Sequence, residues 1–244
     1  MTLTIPKPEY TSRTIPKTTE GRQLVIPDIH GCLDTFQALL KKVNFTKKDQ
    51  LFLLGDYIDK GTNSVGVLDF LLELQENTYQ VFALQGNHEQ MLLEKHHTKY
   101  STSELTLPHL RKNYGIVDIN RKILPKYYDF ICNMPYYYEL DDFLLVHAGF
   151  NVLAPNPFTD FESMLWMRNF EVSTYEKEKF LLNKTVIFGH TPTFLQFIQQ
   201  DITAKKSAIC LDNGCVFASK WFLGNLLCLN LSNFTLTIQE NIDE

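Results

Sequence analysis

Cysteine is scarce and odd in number: Cys32, Cys132, Cys210, Cys215 and Cys228 are the five in 244 residues. That density is too low for a disulfide scaffold, and no apolar segment long enough for a secretory leader precedes Leu24. A reducing cytoplasm is the expected compartment. No apolar run approaches the roughly 20 residues that a bilayer span needs, so no membrane partner is expected. Positive charge is also in short supply. The 23 Lys and Arg are outnumbered by 28 Asp and Glu, for a net charge of −5 and a pI of about 5.8, the wrong sign for a surface that coats nucleic acid. The basic cluster Lys41, Lys42, Lys47, Lys48 flanks a helix end and a turn and reads as a solvated face. Cys210 and Cys215 have no second pair nearby and read as buried thiols rather than half of a zinc site.

No stretch resembles a linker between two domains, and a chain that is 44% hydrophobic and 13% aromatic can bury one large core. The first 20 residues hold Pro6, Pro8, Pro16 and many threonines without periodicity, and are expected to form an irregular tail ahead of a single domain over 21–244. From there the pattern alternates. Leu24–Ile26, Leu51–Leu54 and Val81–Leu84 read as strands, separated by helical spacing at Leu33, Phe36, Leu39, Leu40 and at Val65, Leu68, Leu72. This is the start of a parallel sheet. Residues 96–134 read as an inserted helical cap, with His96 and His97 solvent-exposed. The second half turns to strands at 136–140, 143–147, 185–188, 207–211, 225–231 and 234–239. Tyr136–Tyr138 cover one of these strands rather than form a binding platform. Two packed sheets with helices outside, an α/β/β/α sandwich, fit both halves.

What the chain does have is a set of short polar strings, each placed just after an apolar run. They are Asp28-Ile29-His30-Gly31, Gly55-Asp56-Tyr57-Ile58-Asp59, Gly86-Asn87-His88-Glu89, Val146-His147-Ala148-Gly149 and Phe188-Gly189-His190. Five strand ends therefore converge, and ligands in parallel sheets sit beyond the carboxyl ends of strands. Carboxylate, imidazole and amide oxygen suit Mn²⁺, Fe²⁺ or Zn²⁺, whereas thiolates would suit structural zinc and all-oxygen sets Mg²⁺ or Ca²⁺. No string contains a cysteine. Asp28 and His30 lie two apart, so on an extended strand end they point the same way and can hold one ion. Asn87 and His88 are adjacent and on extended backbone would face opposite sides, which frees one of them for a different task. Singly, His147 would read as a core histidine and Asp28 as a helix cap; the ordered set points instead to a dinuclear metal site.

The strings DIHG, GDYID, GNHE, VHAGF and FGHTPT, in that order from about Leu24 to Phe217, resemble the phosphoprotein phosphatase family of the calcineurin-like metallophosphoesterases. The short spacings look like its bacterial serine/threonine phosphatase branch. The resemblance implies that Asp28 and His30 hold one ion, that Asp56 bridges two, and that Asn87, His147 and His190 complete the second. It implies His88, paired with Asp59, as general acid, and Lys60, Asn87 and Arg168 as phosphate-binding residues. Two positions depart from the family: Pro27 replaces the usual glycine before DIHG, and Lys60 replaces the usual arginine after GDYID. Pro27 removes only one backbone donor at a strand end. Lys60 matters more, because a point charge replaces a two-pronged grip on phosphate.

The chemistry expected from this set is phosphomonoester hydrolysis, with phosphoserine or phosphothreonine proteins or a small phosphoester as substrate. Two ions, Mn²⁺ foremost, share a water and acidify it, and the resulting hydroxide attacks phosphorus in line. Two divalent ions bring roughly +4, Asp28, Asp56 and a hydroxide remove three, and about +1 remains to attract phosphate. An alternative is a dinucleoside polyphosphate hydrolase of the diadenosine tetraphosphate type, whose relatives carry alanine where this chain has Asp59 and GNHD where it has GNHE. A non-catalytic scaffold is the third reading, disfavoured by an intact ligand set. Asp212-Asn213-Gly214 reads first as a turn, with pocket lining as its alternative. The oligomeric state is left open.

Overall fold

In the computed structural model, residues 11–97, 115–118, 122–218, 220 and 222–243 are described. The apolar runs form strands buried on both faces. In β2 (Gln23–Ile26) and β3 (Gln50–Leu53) every residue is buried, and β4 (Gln80–Ala83) continues the parallel set in the order β2-β3-β4. Helices α1 (Leu33–Lys42) and α2 (Ser64–Glu76) make the crossovers. The antiparallel pair β9 (Asn225–Asn230) and β10 (Thr235–Glu240) joins at β2, giving a sheet ordered β10-β9-β2-β3-β4.

A second five-stranded sheet is ordered β1-β5-β6-β7-β8. It consists of β1 (Ser12–Thr14), β5 (Tyr137–Glu139), β6 (Phe143–Val146), β7 (Thr185–Phe188) and β8 (Ala208–Cys210). Alternate side chains explain how the sheets stack. Val25, Phe52, Leu54, Leu145, Ile187, Ile209 and Leu227 form the core between the sheets. Their neighbours Leu24, Ile26, Leu51 and Leu53 face the opposite way, onto Phe36, Leu39, Val67 and Leu71 of α1 and α2. The outer face of the other sheet packs Leu144, Val146, Val186 and Phe188 against Met164 and Leu165. The α/β/β/α sandwich expected from the sequence is the fold.

The stretch expected to be irregular up to residue 20 carries β1, whose three residues pair in parallel with Tyr137, Tyr138 and Glu139. Residues 1–10 lie outside the described ones. Of the helical cap expected over 96–134, residues 98–114 and 119–121 also lie outside. Its later part forms α4 (Pro125–Cys132), which buries Tyr127 and Ile131 in the core beneath α1 and α2. His96 differs from the solvent-exposed reading: its Nδ1 accepts the Ile123 N–H at 3.0 Å and its ring lies 4.8 Å from that of Tyr128. Among the described residues, no helix is long and apolar enough to cross a membrane.

Candidate metal centre

The sheets bring the five strings to one place because each string begins where a strand ends. Asp28 and His30 follow β2, Asp56 follows β3, Asn87 follows β4, and all belong to the first sheet. His147 and His190 follow β6 and β7 of the second. Backbone conformation at these ends is unusual: His30, Asp56, Asp59, Lys60 and His190 have φ of 49°, 55°, 66°, 62° and 68°, a left-handed region that non-glycine residues occupy mostly where the surroundings impose it. The close approach of the loops leaves no space for side chains beside them. A Cβ on Gly86 would lie 2.3 Å from Asp56 N and Oδ1, and one on Gly189 would lie 2.3 Å from Asp28 Oδ1.

Hydrogen bonds fix the histidine tautomers. His147 Nδ1 lies 2.8 Å from the Leu54 carbonyl and His30 Nδ1 lies 2.9 Å from the Ile58 carbonyl, so each donates from Nδ1 and turns an unprotonated Nε2 inward. His147 Nε2 then faces Asn87 Oδ1 at 2.9 Å and Asp56 Oδ1 at 3.6 Å. His190 Nδ1 is 3.0 Å from the same amide oxygen and 3.1 Å from His147 Nε2. On the other side, His30 Nε2 faces Asp56 Oδ2 at 3.4 Å and Asp28 Oδ2 at 3.9 Å, and Lys60 Nζ lies 2.6 Å from it. Lone pairs thus converge in two groups that share Asp56.

Two groups of candidate ligand atoms meet metal-site spacing: Asp56 with His147 and His190, and Asp56 with His30 and His88. Asp28 borders the second group through His30 and also accepts the His190 N–H at 2.9 Å. The protonation states fit as well. Burial pushes His30 down to about 4 and His190 down to about 3, and lowers His147, so all three imidazoles are neutral at neutral pH. Asp56 is held low despite burial, because His147, His30 and His88 surround it. Asp28 is raised by burial and by the neighbouring charges of Asp212 and Asp56, an accumulation of buried carboxylate that a cation would relieve. His190 Nε2 is buried without a hydrogen-bond partner. The residues present therefore fit divalent ions of the kind that accept imidazole, carboxylate and amide oxygen.

Asn87 and His88 correct one expectation. They open helix α3 (Asn87–His97) rather than lying on extended backbone, yet they still part ways. Asn87 turns to the histidine pair, while His88 Nδ1 lies 2.7 Å from Asp59 Oδ2 and its Nε2 3.8 Å from Asp56 Oδ2. Burial disfavours the charged form of His88, but the Asp59 bond outweighs it and the ring is raised above its ordinary value. Arg168 is exposed, two residues beyond helix α5 (Phe161–Trp166). Its charge reaches His190 and helps lower that ring. Trp166 stands edge-on to His190 at 6.5 Å.

One residue beside the candidate centre carried no assignment in the sequence, and a second was read first as part of a turn. Glu89 is fully buried, and its carboxylate accepts the N–H groups of Asp56 at 2.9 Å, Tyr57 at 2.9 Å and Gly86 at 3.1 Å. It ties two ligand loops together. The available signal was an acid on the first turn of a helix that begins inside a ligand string. Asp212 does form the expected turn, its Oδ1 accepting Gly214 N–H at 2.6 Å. It is also buried and close enough to Asp28 to raise it, which sets it beside the candidate centre.

Two layers of sheet with carboxylate and imidazole side chains at their joined strand ends make a candidate centre for divalent ions. The chain belongs to the calcineurin-like phosphoesterase family, whose profile matches residues 21–216. Among curated relatives, it is 32% identical over 132 residues to a symmetrical bis(5'-nucleosyl)-tetraphosphatase of Vibrio parahaemolyticus, covering 51% of this chain and 43% of that protein. It is 45% identical over 73 residues to the enzyme of the same name from Hamiltonella defensa, covering 30% and 26%. The matches thus span less than half the length of these relatives. Among solved structures, a candidate diadenosine tetraphosphatase superposes with a TM-score of 0.68 at 22% identity, covering 96% of this chain and 100% of the other. A Saccharomyces cerevisiae protein serine/threonine phosphatase superposes with a TM-score of 0.64 at 15% identity, covering 98% and 85%. Both likenesses concern the fold.

Proposed function

We propose that this phosphoesterase hydrolyses phosphomonoesters whose leaving groups are basic alkoxides, phosphoserine and phosphothreonine in proteins foremost. The observation that carries this reading is the contact of 2.7 Å between His88 Nδ1 and Asp59 Oδ2. Asp59 holds the Nδ1 proton and fixes the ring, so that Nε2 presents a proton toward the space in front of Asp56. An alkoxide leaving group requires that proton as the P–O bond breaks; a phosphate leaving group, already weakly basic, does not. Asp28, His30 and Asp56 would hold one divalent ion, and Asp56, Asn87, His147 and His190 the second. Bound there, Mn²⁺ or a similar ion neutralises phosphate charge and makes water acidic enough to react at neutral pH. Lys60, beside His30, and Arg168, whose charge reaches His190, would grip the phosphate oxygens together with the Asn87 amide.

A second reading is favoured by the names of the curated relatives, which act as symmetrical dinucleoside tetraphosphatases. Its leaving group needs less help from a proton donor, and so gives the bond between Asp59 and His88 no task. A substrate panel with Mn²⁺-loaded protein separates the two. The expected result is a higher kcat/KM on phosphoseryl and phosphothreonyl peptides than on diadenosine tetraphosphate or phosphodiesters. Faster cleavage of diadenosine tetraphosphate would establish the second reading, and no turnover on any substrate would establish a binding scaffold.

A further inference from the structure

Helix α1 starts three residues after His30, and its opening turn lacks a local cap: Cys32 occupies the N-cap position and makes no side-chain hydrogen bond there. The first N–H groups of a helix have no partner within it. Here a carboxylate 208 residues away in sequence supplies one. Asp243 Oδ1 accepts the Asp34 N–H at 3.0 Å, and Asp243 Oδ2 accepts the Thr35 N–H at 2.9 Å and the Thr35 hydroxyl at 2.5 Å. The same hydroxyl accepts the Ile242 N–H at 2.9 Å. Asn241 completes the grip: its Oδ1 accepts the Asp243 N–H at 2.7 Å, and its Nδ2 donates to the Cys215 carbonyl at 2.8 Å and lies 3.6 Å from Cys32 Sγ.

The position of this clamp gives it a consequence for the metal centre. The loop carrying Asp28 and His30 enters from β2, which is held on both sides by β3 and β9. It leaves through two successive left-handed residues, His30 at 49° and Gly31 at 72°, directly into α1. Within the loop, the Ile29 and His30 N–H groups bond to the Asp56 carbonyl at 3.1 and 2.8 Å and Gly31 N–H to the Tyr57 carbonyl at 2.8 Å. Those partners lie in another loop rather than in a sheet. At the exit the loop is held by α2, whose N-cap residue Asn63 donates its N–H to the Gly31 carbonyl at 3.0 Å, and by α1, whose first N–H groups Asp243 caps. We propose that Asp243, oriented by Asn241, is a positioning residue for the ligand pair Asp28 and His30: it sets the angle at which α1 leaves the loop and thereby the affinity for the ion that this pair holds. The proposal rests on that ligand assignment and not on the identity of the substrate.

Calorimetric titration of metal-free protein with Mn²⁺ tests it, with thermal unfolding of the same samples as a companion. Wild type is expected to show two binding events. Asp243→Ala should weaken one of them about tenfold and leave the other within twofold, the size of loss typical when a partner that orients a ligand is removed. Asp243→Asn, which keeps one acceptor oxygen, should fall between and serves should the alanine variant not fold. Asp49→Asn breaks a carboxylate network remote from the loop and is the control for lowered stability alone. Asymmetric weakening in the Asp243 variants, absent from the control, supports positioning. Unchanged binding, equal weakening of both events, or the same pattern in Asp49→Asn would overturn it. A single binding event even in wild type would instead reject the two-ion reading, which distinguishes failure of that reading from failure of this one.

Discussion

Among the histidines that face Asp56, His88 alone bonds to a carboxylate at Nδ1, whereas His30 and His147 bond to backbone carbonyls. A carbonyl fixes a neutral ligand; a carboxylate supports a ring that gains and loses charge. His88→Asn should therefore slow alkyl phosphates by about 10²–10³-fold and aryl phosphates, with their acidic leaving groups, by less than tenfold. Equal losses on both would make His88 a phosphate-positioning residue. Lys60 sits against the ligand His30, and Lys60→Ala should raise KM for phosphomonoesters on the order of tenfold, as loss of a charge-assisted bond does. Lys60→Arg should hold or lower KM. Kinetics indifferent to both changes would place Lys60 outside the reaction. At this scale the residues that meet at the strand ends were legible because their side-chain chemistry is specific and their order repeats after strands. The Asn87–His88 pair was misread in backbone, since the string does not reveal that the helix begins at its first ligand.

Loops, more than strands, decide the geometry of the centre. Glu89 joins the loop after β3 to the loop after β4 through three N–H groups. Glu89→Gln would turn an amide N–H₂ toward these donors and leave at least one of them unpaired, so stability should fall by about 2 kcal/mol or more, with weaker Mn²⁺ binding measured alongside denaturant unfolding. At the opposite end of the same strands, Asp49 receives the Arg22 guanidinium at 3.0 and 2.8 Å, the Arg22 N–H at 2.9 Å and the Thr46 N–H at 2.9 Å. Burial opposes the charge, but these bonds win and hold the carboxyl down to about 2 against an ordinary 3.8. A depressed carboxyl stabilises the fold above its unfolded value and ceases to do so as pH falls through its folded one. Between pH 4 and 2 the wild type should lose up to about 2 kcal/mol that Asp49→Asn never has; parallel pH profiles in urea unfolding would contradict this. The long apolar strands announced themselves by composition. Strand β1 did not, because half-exposed Ser12 and exposed Arg13 and Thr14 owe their extension to a partner 125 positions onward rather than to any pattern of their own.

Across the whole molecule, the sandwich and the place of the centre could be read from five strings at five strand ends. The contacts that lock the centre could not. Glu89 acts through backbone N–H groups, which any sequence offers, and Asp243 through two more and the hydroxyl of Thr35, 208 positions away, so nothing in their sequence neighbours marks the partnership. The division of ligands between the sheets has a mechanical meaning. Asp28, His30, Asp56 and Asn87 extend from one sheet and His147 and His190 from the other, and the contact between them is made at one rim of an otherwise apolar seam. Ions held there would act as a rivet through two plates. With free Mn²⁺ at a hundred times the dissociation constant of a site, each ion should add about 2.7 kcal/mol and raise Tm by roughly 5–10 °C, the rise vanishing on chelation. Amide hydrogen exchange should then slow in β6 and β7 as much as in β2 and β3. Stripped of the rivet, the sheets would keep only the apolar seam between them, and the sheet bearing His147 and His190 should open ahead of its partner.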